Sequence, residues 1–271
     1  MNMKKLGIIA AKGDLSQKLI EYAKDKFDLF VVAIVNETNP ALLKDIGHIW
    51  IKLGEIGKAV DAMHKAQIKQ LVFVGSIQKP DIFSLKLDMM GTKLLTRMVK
   101  DKFLGDNKLL SVLSQFLEDQ GFKIIGVHEI LKDLVVEAAN FTILLPTEQD
   151  RDDIELAVKV VTQLGILDVG QAAIVQNGIV LGVEAVEGTD NLIKRCGDFK
   201  RTDEPGGVLV KFSKPGQELR MDLPTIGINT VKNLYLAGFK GIAIEANKAI
   251  FLNRDEVIEY ANQNQMFICS L

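Results

Sequence analysis

Apolar residues come in short continuous runs through the first half of the chain, separated by stretches with helical periodicity. Leu6 to Ala10 and Leu29 to Val35 read as strands covered on both faces, as a parallel sheet requires. His48 to Ile51, Leu71 to Val74 and Lys123 to Gly126 repeat the signal more weakly. The segments between them read as helices: one to about Lys26 that Asp14 or Ser16 can cap, then Gly57 to Ala66, Leu94 to Val99, and Lys108 to Gln120, which Gly121 closes. Strand and helix in alternation predict a Rossmann-like parallel sheet.

The rhythm changes between Lys132 and Gln149. Pro146 interrupts it, and Glu148 to Asp153 is an acidic run of the kind that makes a solvated helix start and suits the helix dipole. Beyond it lie a helix over Asp150 to Leu164 and two strands, Ala172 to Gln176 and Ile179 to Val183, joined by a hairpin turn at Asn177-Gly178. Then come a helix that Thr189 can cap, a strand at Val208 to Phe212, a helix from Asn229 or Thr230 that Gly238 ends, short strands at Gly241 to Ile244 and Ala249 to Leu252, and a helix from Arg254 to Asn262. The expected class is therefore α/β. A Rossmann-like nucleotide-binding domain spans residues 1–132, a linker 133–149, and a mixed α/β catalytic domain 150–271, with the ligand cleft between the domains.

Composition narrows the function. A net charge of -2 gives no global attraction to nucleic acid, so any anion site must be built locally. Cys196 and Cys269 are far apart and form no CxxC pair, and His48, His64 and His128 have no metal spacing, so zinc is not supported. No run approaches the roughly 20 apolar residues of a membrane span, which predicts a cytoplasmic protein that meets a membrane only at its surface.

Glycines mark the ends of several strands: Lys12-Gly13, Gly54 to Lys58, and Gly75 to Pro80. In an open α/β sheet, ligands bind at those strand ends, and glycine lets them approach the backbone. Each segment alone is also an ordinary turn. Together they suggest a sugar-nucleotide site using Lys12, Gly13 and Gly75. The spacing GxGxxG is absent, which argues against a nicotinamide-dependent oxidoreductase. Asp106 serves first as a helix cap and second as a substrate contact, and His128 is a structural or a ligand-binding histidine.

The later chemistry is sharper. Glu184, Glu187 and Asp190 surround Gly188-Thr189 at a strand-to-helix junction, where a helix N-terminus and a hard cation can share a phosphate. Lys211, Lys214 and Arg220 precede Asp222, and Pro224 stiffens the chain behind it. Bases of this kind offset charge on a diphosphate. An aspartate among them suits a Mg²⁺ or Mn²⁺ ligand, or a group that orients water. A surface ion-pair network is the plainer alternative.

These segments, with Val183 to Asp190 and Arg220-Met-Asp-Leu-Pro-Thr-Ile-Gly227 as the most specific, resemble the UDP-2,3-diacylglucosamine pyrophosphatases of lipid A biosynthesis that are not built on the calcineurin-like fold. The resemblance runs through essentially the whole chain. It implies Mg²⁺-dependent hydrolysis of UDP-2,3-diacylglucosamine to 2,3-diacylglucosamine 1-phosphate (lipid X) and UMP, with water attacking the phosphorus on the sugar side. It matches Asp222 to the family's essential aspartate. On this reading Asp222, Lys211 and Arg220 are catalytic, and Asp222, Glu187 and Asp190 hold the metal. Lys12, Gly13, Gly75, Asp106, His128, Gly188 and Thr189 bind substrate. The acyl chains need an apolar cleft between the domains or along the second. The sequence admits a homodimer and attachment to the cytoplasmic face of the inner membrane. A non-catalytic sugar-nucleotide or lipid sensor is the alternative. One departure is Ala11-Lys12-Gly13, where the family often has three glycines after the first strand.

Overall fold

The computed structural model describes residues 3–77, 85–100, 105–201 and 205–271; the side chains of Lys100 and Asp106 lie outside this description. Gln78, Lys79 and Pro80 of the third glycine-bearing segment also fall outside it. The chain forms two compact units. The first comprises residues 1–132 together with Glu218–Asp222, and the second comprises 133–217 and 223–271.

In the first unit the strands β1 (Lys4–Ala10), β2 (Phe27–Ile34), β3 (Gly47–Ile51), β4 (Gln70–Val74) and β5 (Lys123–Ile124) form one parallel sheet in the order β3-β2-β1-β4-β5. Leu6, Ile8, Val31 and Val32 are wholly buried, because a parallel sheet with helices on both faces needs apolar residues along the whole strand. The connecting helices are α1 (Asp14–Ala23), α2 (Ile56–Lys65), α3 (Met89–Lys100) and α4 (Asp106–Asp119), with a single turn α5 (Val127–Ile130) after β5. The strand order reverses between β1 and β4, the place where open α/β sheets leave a crevice at their carboxyl ends.

Two expected caps are corrected. Glycines begin both helices: Gly13 precedes α1 and Gly105 precedes α4, in place of Asp14 or Ser16 and of Asp106. Asp106 is the first residue of α4, which leaves the capping position to its neighbour.

The second unit holds α6 (Glu148–Ile166), β6 (Ala172–Gln176), β7 (Ile179–Val183), α7 (Thr189–Gly197), β8 (Val208–Lys211), β9 (Thr225–Ile226), α8 (Ile228–Leu236), β10 (Gly241–Ile244), β11 (Ile250–Phe251), α9 (Arg254–Gln263) and β12 (Phe267–Ser270). Its main sheet runs β12-β10-β8-β6-β7, parallel from β12 to β8 and antiparallel onward, and β9 pairs with β11. Residues 133–147 belong to this unit, with Val136 wholly buried and its N–H bonded to Ala249 O.

The acidic run at the start of α6 is solvated only in part: Glu148 and Asp152 are exposed, while two of its carboxylates are buried. Asp150 is 5% exposed and Asp153 1%. Asp150 closes a reciprocal cap with Thr147 and pairs with Lys240 at 2.8 Å. The Asp153 carboxylate accepts the N–H groups of Asn177 and Gly178 at 2.8 and 2.7 Å, so a buried acid fixes the hairpin turn. Thr189 does not cap α7 either; Gly188, at φ 78°, is the capping residue. Among the described residues no helix is long and apolar enough to cross a membrane.

Candidate active site

Residues Glu218–Asp222 come late in the sequence but belong to the first unit. The Glu218 N–H donates to Asn107 Oδ1 at 2.8 Å, and the N–H groups of Met221 and Asp222 fold back onto Glu218 O, giving a tight turn. Arg220 clamps it. Its Nη1 meets Glu118 Oε1 at 2.7 Å, while Nε and Nη2 grip the two oxygens of Glu218 at 2.8 and 2.7 Å. This bidentate geometry holds the Glu218 carboxyl below its usual range and raises the Arg220 guanidinium above its own. Arg220 thus meets protein carboxylates where the sequence suggested a phosphate. Met221 is buried in the unit's core, and Asp222 beside it is exposed.

Asp222 and Met221 line one part of a cavity of about 460 Å³ that otherwise consists almost wholly of aliphatic groups. Its walls are one face of the parallel sheet and the inner faces of α2, α3 and α4, including Ile9, Phe73, Met63, Leu94 and Leu117. All of its lining residues belong to the first unit. The sequence does not reveal this cavity, because leucines lining a void and leucines filling a core have the same helical spacing.

Gly75 and Ser76 also line this cavity. They follow β4 at the point where the strand order reverses. The Ser76 N–H donates to Lys12 O at 2.9 Å, so the loops after β1 and β4 are stitched together. Gly75 has φ 93°, and a Cβ there would collide with Ser16 Oγ and Lys12 O. Gly13, at φ 114°, opens α1. These contacts bring Lys12, Gly13 and Gly75 to one strand end, where the Lys12 ammonium lies 3.2 Å from Glu37. Two hydroxyl-bearing residues there do not stand out in the sequence as site residues: Ser76 reads only as part of its glycine-bearing turn, and Ser16, which reads as a cap, has its hydroxyl buried without a hydrogen-bond partner. His128 lies in α5, its ring close over Gly126 and its Nδ1 buried without a partner.

The remaining predicted residues lie in the second unit. Thr189 Oγ1 donates to Glu184 at 2.6 Å, Glu187 pairs with Arg195 at 2.7 Å, and Asp190 accepts from Asn233 at 3.0 Å. The Arg195 bond holds the Glu187 carboxyl below its usual range. Lys211, at the end of β8, is 9% exposed and its ammonium lies 3.3 Å from Thr225 O. Glu245, just past the end of β10, accepts from Ser213 and pairs with Lys248. Glu187, Gly188, Thr189 and Asp190 thus cluster around the start of α7, whereas Asp222 belongs to the other unit. Among the described residues no three His, Cys, Asp or Glu side chains stand together as a metal site.

Comparison with known proteins divides the chain near residue 135 and leaves Glu218–Asp222 within its second match. The family described as the LpxI N-terminal domain matches residues 5–134, and that described as the LpxI C-terminal domain matches residues 137–269. A Caulobacter vibrioides protein, UDP-2,3-diacylglucosamine pyrophosphatase LpxI, is 33% identical over 271 residues, covering 98% of this chain and 97% of its own. The crystal structure of N5-carboxyaminoimidazole synthase from Aspergillus clavatus covers 74% of this chain and 45% of its own at 16% identity and a TM-score of 0.23, too low to carry an argument. Two domain families matched in order, and a relative aligned almost end to end, show that the chain belongs to the LpxI family.

Proposed function

We propose that this protein hydrolyses the pyrophosphate of UDP-2,3-diacylglucosamine, the activity in the name of its Caulobacter relative, to 2,3-diacylglucosamine 1-phosphate and UMP. The observation that carries this reading is the exposed Asp222 carboxylate on the lining of a large apolar cavity, next to the Gly75 crevice. A substrate with acyl chains at one end and a diphosphate near its middle needs that juxtaposition. A water-soluble sugar nucleotide has no use for the cavity.

In this mechanism Asp222 orients a water molecule toward the phosphorus on the sugar side. The water oxygen forms the new P–O bond as the oxygen bridging the two phosphorus atoms leaves with UMP. UMP is a stable leaving group and needs little acid help, in keeping with a site that does not rely on histidine. Mg²⁺, or Mn²⁺ in its place, would be held by the Asp222 carboxylate with the substrate's own phosphate oxygens, and would offset charge on the diphosphate. One exposed carboxylate suits that arrangement, since Mg²⁺ takes few protein ligands where phosphate is present. Arg220 acts by fixing the Asp222 turn. Lys12, Gly13 and Gly75 receive the nucleotide end, with the Ser16 hydroxyl as a further donor. Lys211 remains a proposed catalytic cation that offsets the diphosphate charge, and Gly188, Thr189, Asp106 and His128 remain proposed substrate contacts, as the sequence suggests. The enzyme would meet its lipid at a membrane surface, and homodimerisation is a further proposal.

Purified protein incubated with UDP-2,3-diacylglucosamine and Mg²⁺ should release UMP, read by chromatography. Binding of the lipid nucleotide without UMP release would favour the sensor reading.

A further inference from the structure

The cavity has a far end as well as a mouth, and the topology locates both. Because the strands are parallel, α2 and α4 run back against them, and their C-terminal turns reach the edge where the strands begin. An Arg97–Asp119 ion pair of 2.5 Å joins the C-terminal turns of α3 and α4 at that edge. Met63, Met98 and Leu117, on these last turns, therefore lie at the far end of the cavity. On the sheet, Ile9 pairs with both Val32 and Phe73, two residues deeper than Ala11, Ile34 and Gly75, or about 6.6 Å farther along the strands. Asp222, Gly75 and Ser76 mark the strand-end mouth. Met63 is wholly buried, Leu117 is 3% exposed and Met98 is partly buried beside them, so these three side chains bound the far end.

At roughly 30 Å³ for a group the size of a water or a methylene, a cavity of 460 Å³ holds about fifteen such groups. That is one acyl chain and not two. We propose that the cavity takes one of the substrate's two acyl chains, and that Met63, Met98 and Leu117 set the longest chain it admits. This rests on the function proposed above, and it adds a length limit with the residues that impose it. The second chain lies outside the cavity and is not measured by it.

The test reads binding separately from hydrolysis. N-acylglucosamines with chains of 8 to 18 carbons displace a fluorescent acyl probe from the full-length protein. Affinity should rise about fourfold per methylene and stop rising near fourteen or fifteen carbons. Leu117→Ala should move that break to longer chains, and Ala59→Leu, on the α2 wall, to shorter ones. Thermal unfolding checks each variant, and Met98→Ala asks the same question if Leu117→Ala does not fold. No binding, affinity still rising through eighteen carbons, or one break shared by wild type and folded variants would overturn the proposal. UMP release, measured in parallel, judges the proposed function. A length break without UMP refutes hydrolysis and leaves the cavity assignment standing, and UMP without a break does the reverse.

Discussion

Arg220 Nη1 lies 2.7 Å from Glu118 Oε1, a bond between residues 102 positions apart that ties the Asp222 turn to α4. Arg220→Ala should therefore act on position before charge. With the turn released, kcat should fall at least tenfold, KM should change less, and stability should drop by about 1–2 kcal/mol. Arg220→Lys keeps the charge but loses the bidentate grip on Glu218, so it should recover little. Steady-state UMP kinetics and thermal unfolding check this; a variant with raised KM and unchanged kcat would argue that Arg220 binds substrate instead.

Asp153 should matter to stability and not to chemistry. Asp153→Ala leaves the Asn177 and Gly178 N–H groups without their acceptor, at a cost of about 2–3 kcal/mol. Denaturant unfolding measures the loss, and kcat of the folded fraction should be unchanged.

Asp150 gives the stability curve an acid limb. Burial pushes its carboxyl up, but Lys240 and Thr147 outweigh this and hold it below its ordinary value of 3.8. A depressed folded-state value means that the contribution is fully present above 3.8 and is lost as pH falls through the lower folded value. Asp150→Asn should therefore lower the melting temperature at pH 7, and the gap to wild type should close in strong acid. A gap of constant size down the titration would contradict the assignment.

The two thiols should be silent in the native protein. Burial raises both, Cys269 to about 11, so few thiolates form near neutral pH. A thiol reagent should count none at pH 8 within minutes and two in denaturant. Rapid reaction of the native protein would show that the second unit opens readily.

Much of this architecture was legible because local chemistry dictates it. Asn177-Gly178 marked its hairpin, and Leu6 to Ala10 marked a strand buried on both faces. What escaped was set by distant partners. Asp153 looks like one acid of a solvated run until the hairpin folds onto it. Thr189 looks like a cap until Glu184 takes its hydroxyl. Phe267–Ser270 is too short for a period to show, and it was not predicted as a strand. Asp222 stands out in the sequence among its neighbouring bases, but its membership in the first unit does not. That follows from Arg220 meeting Glu118 and Met221 entering the core, contacts no local pattern encodes.

The most direct test of the central claim is Asp222→Asn, which keeps shape and removes charge beside the cavity. UMP release should fall at least a hundredfold while displacement of the acyl probe stays within about twofold of wild type. Undiminished UMP release from a folded Asp222→Asn protein would contradict the account.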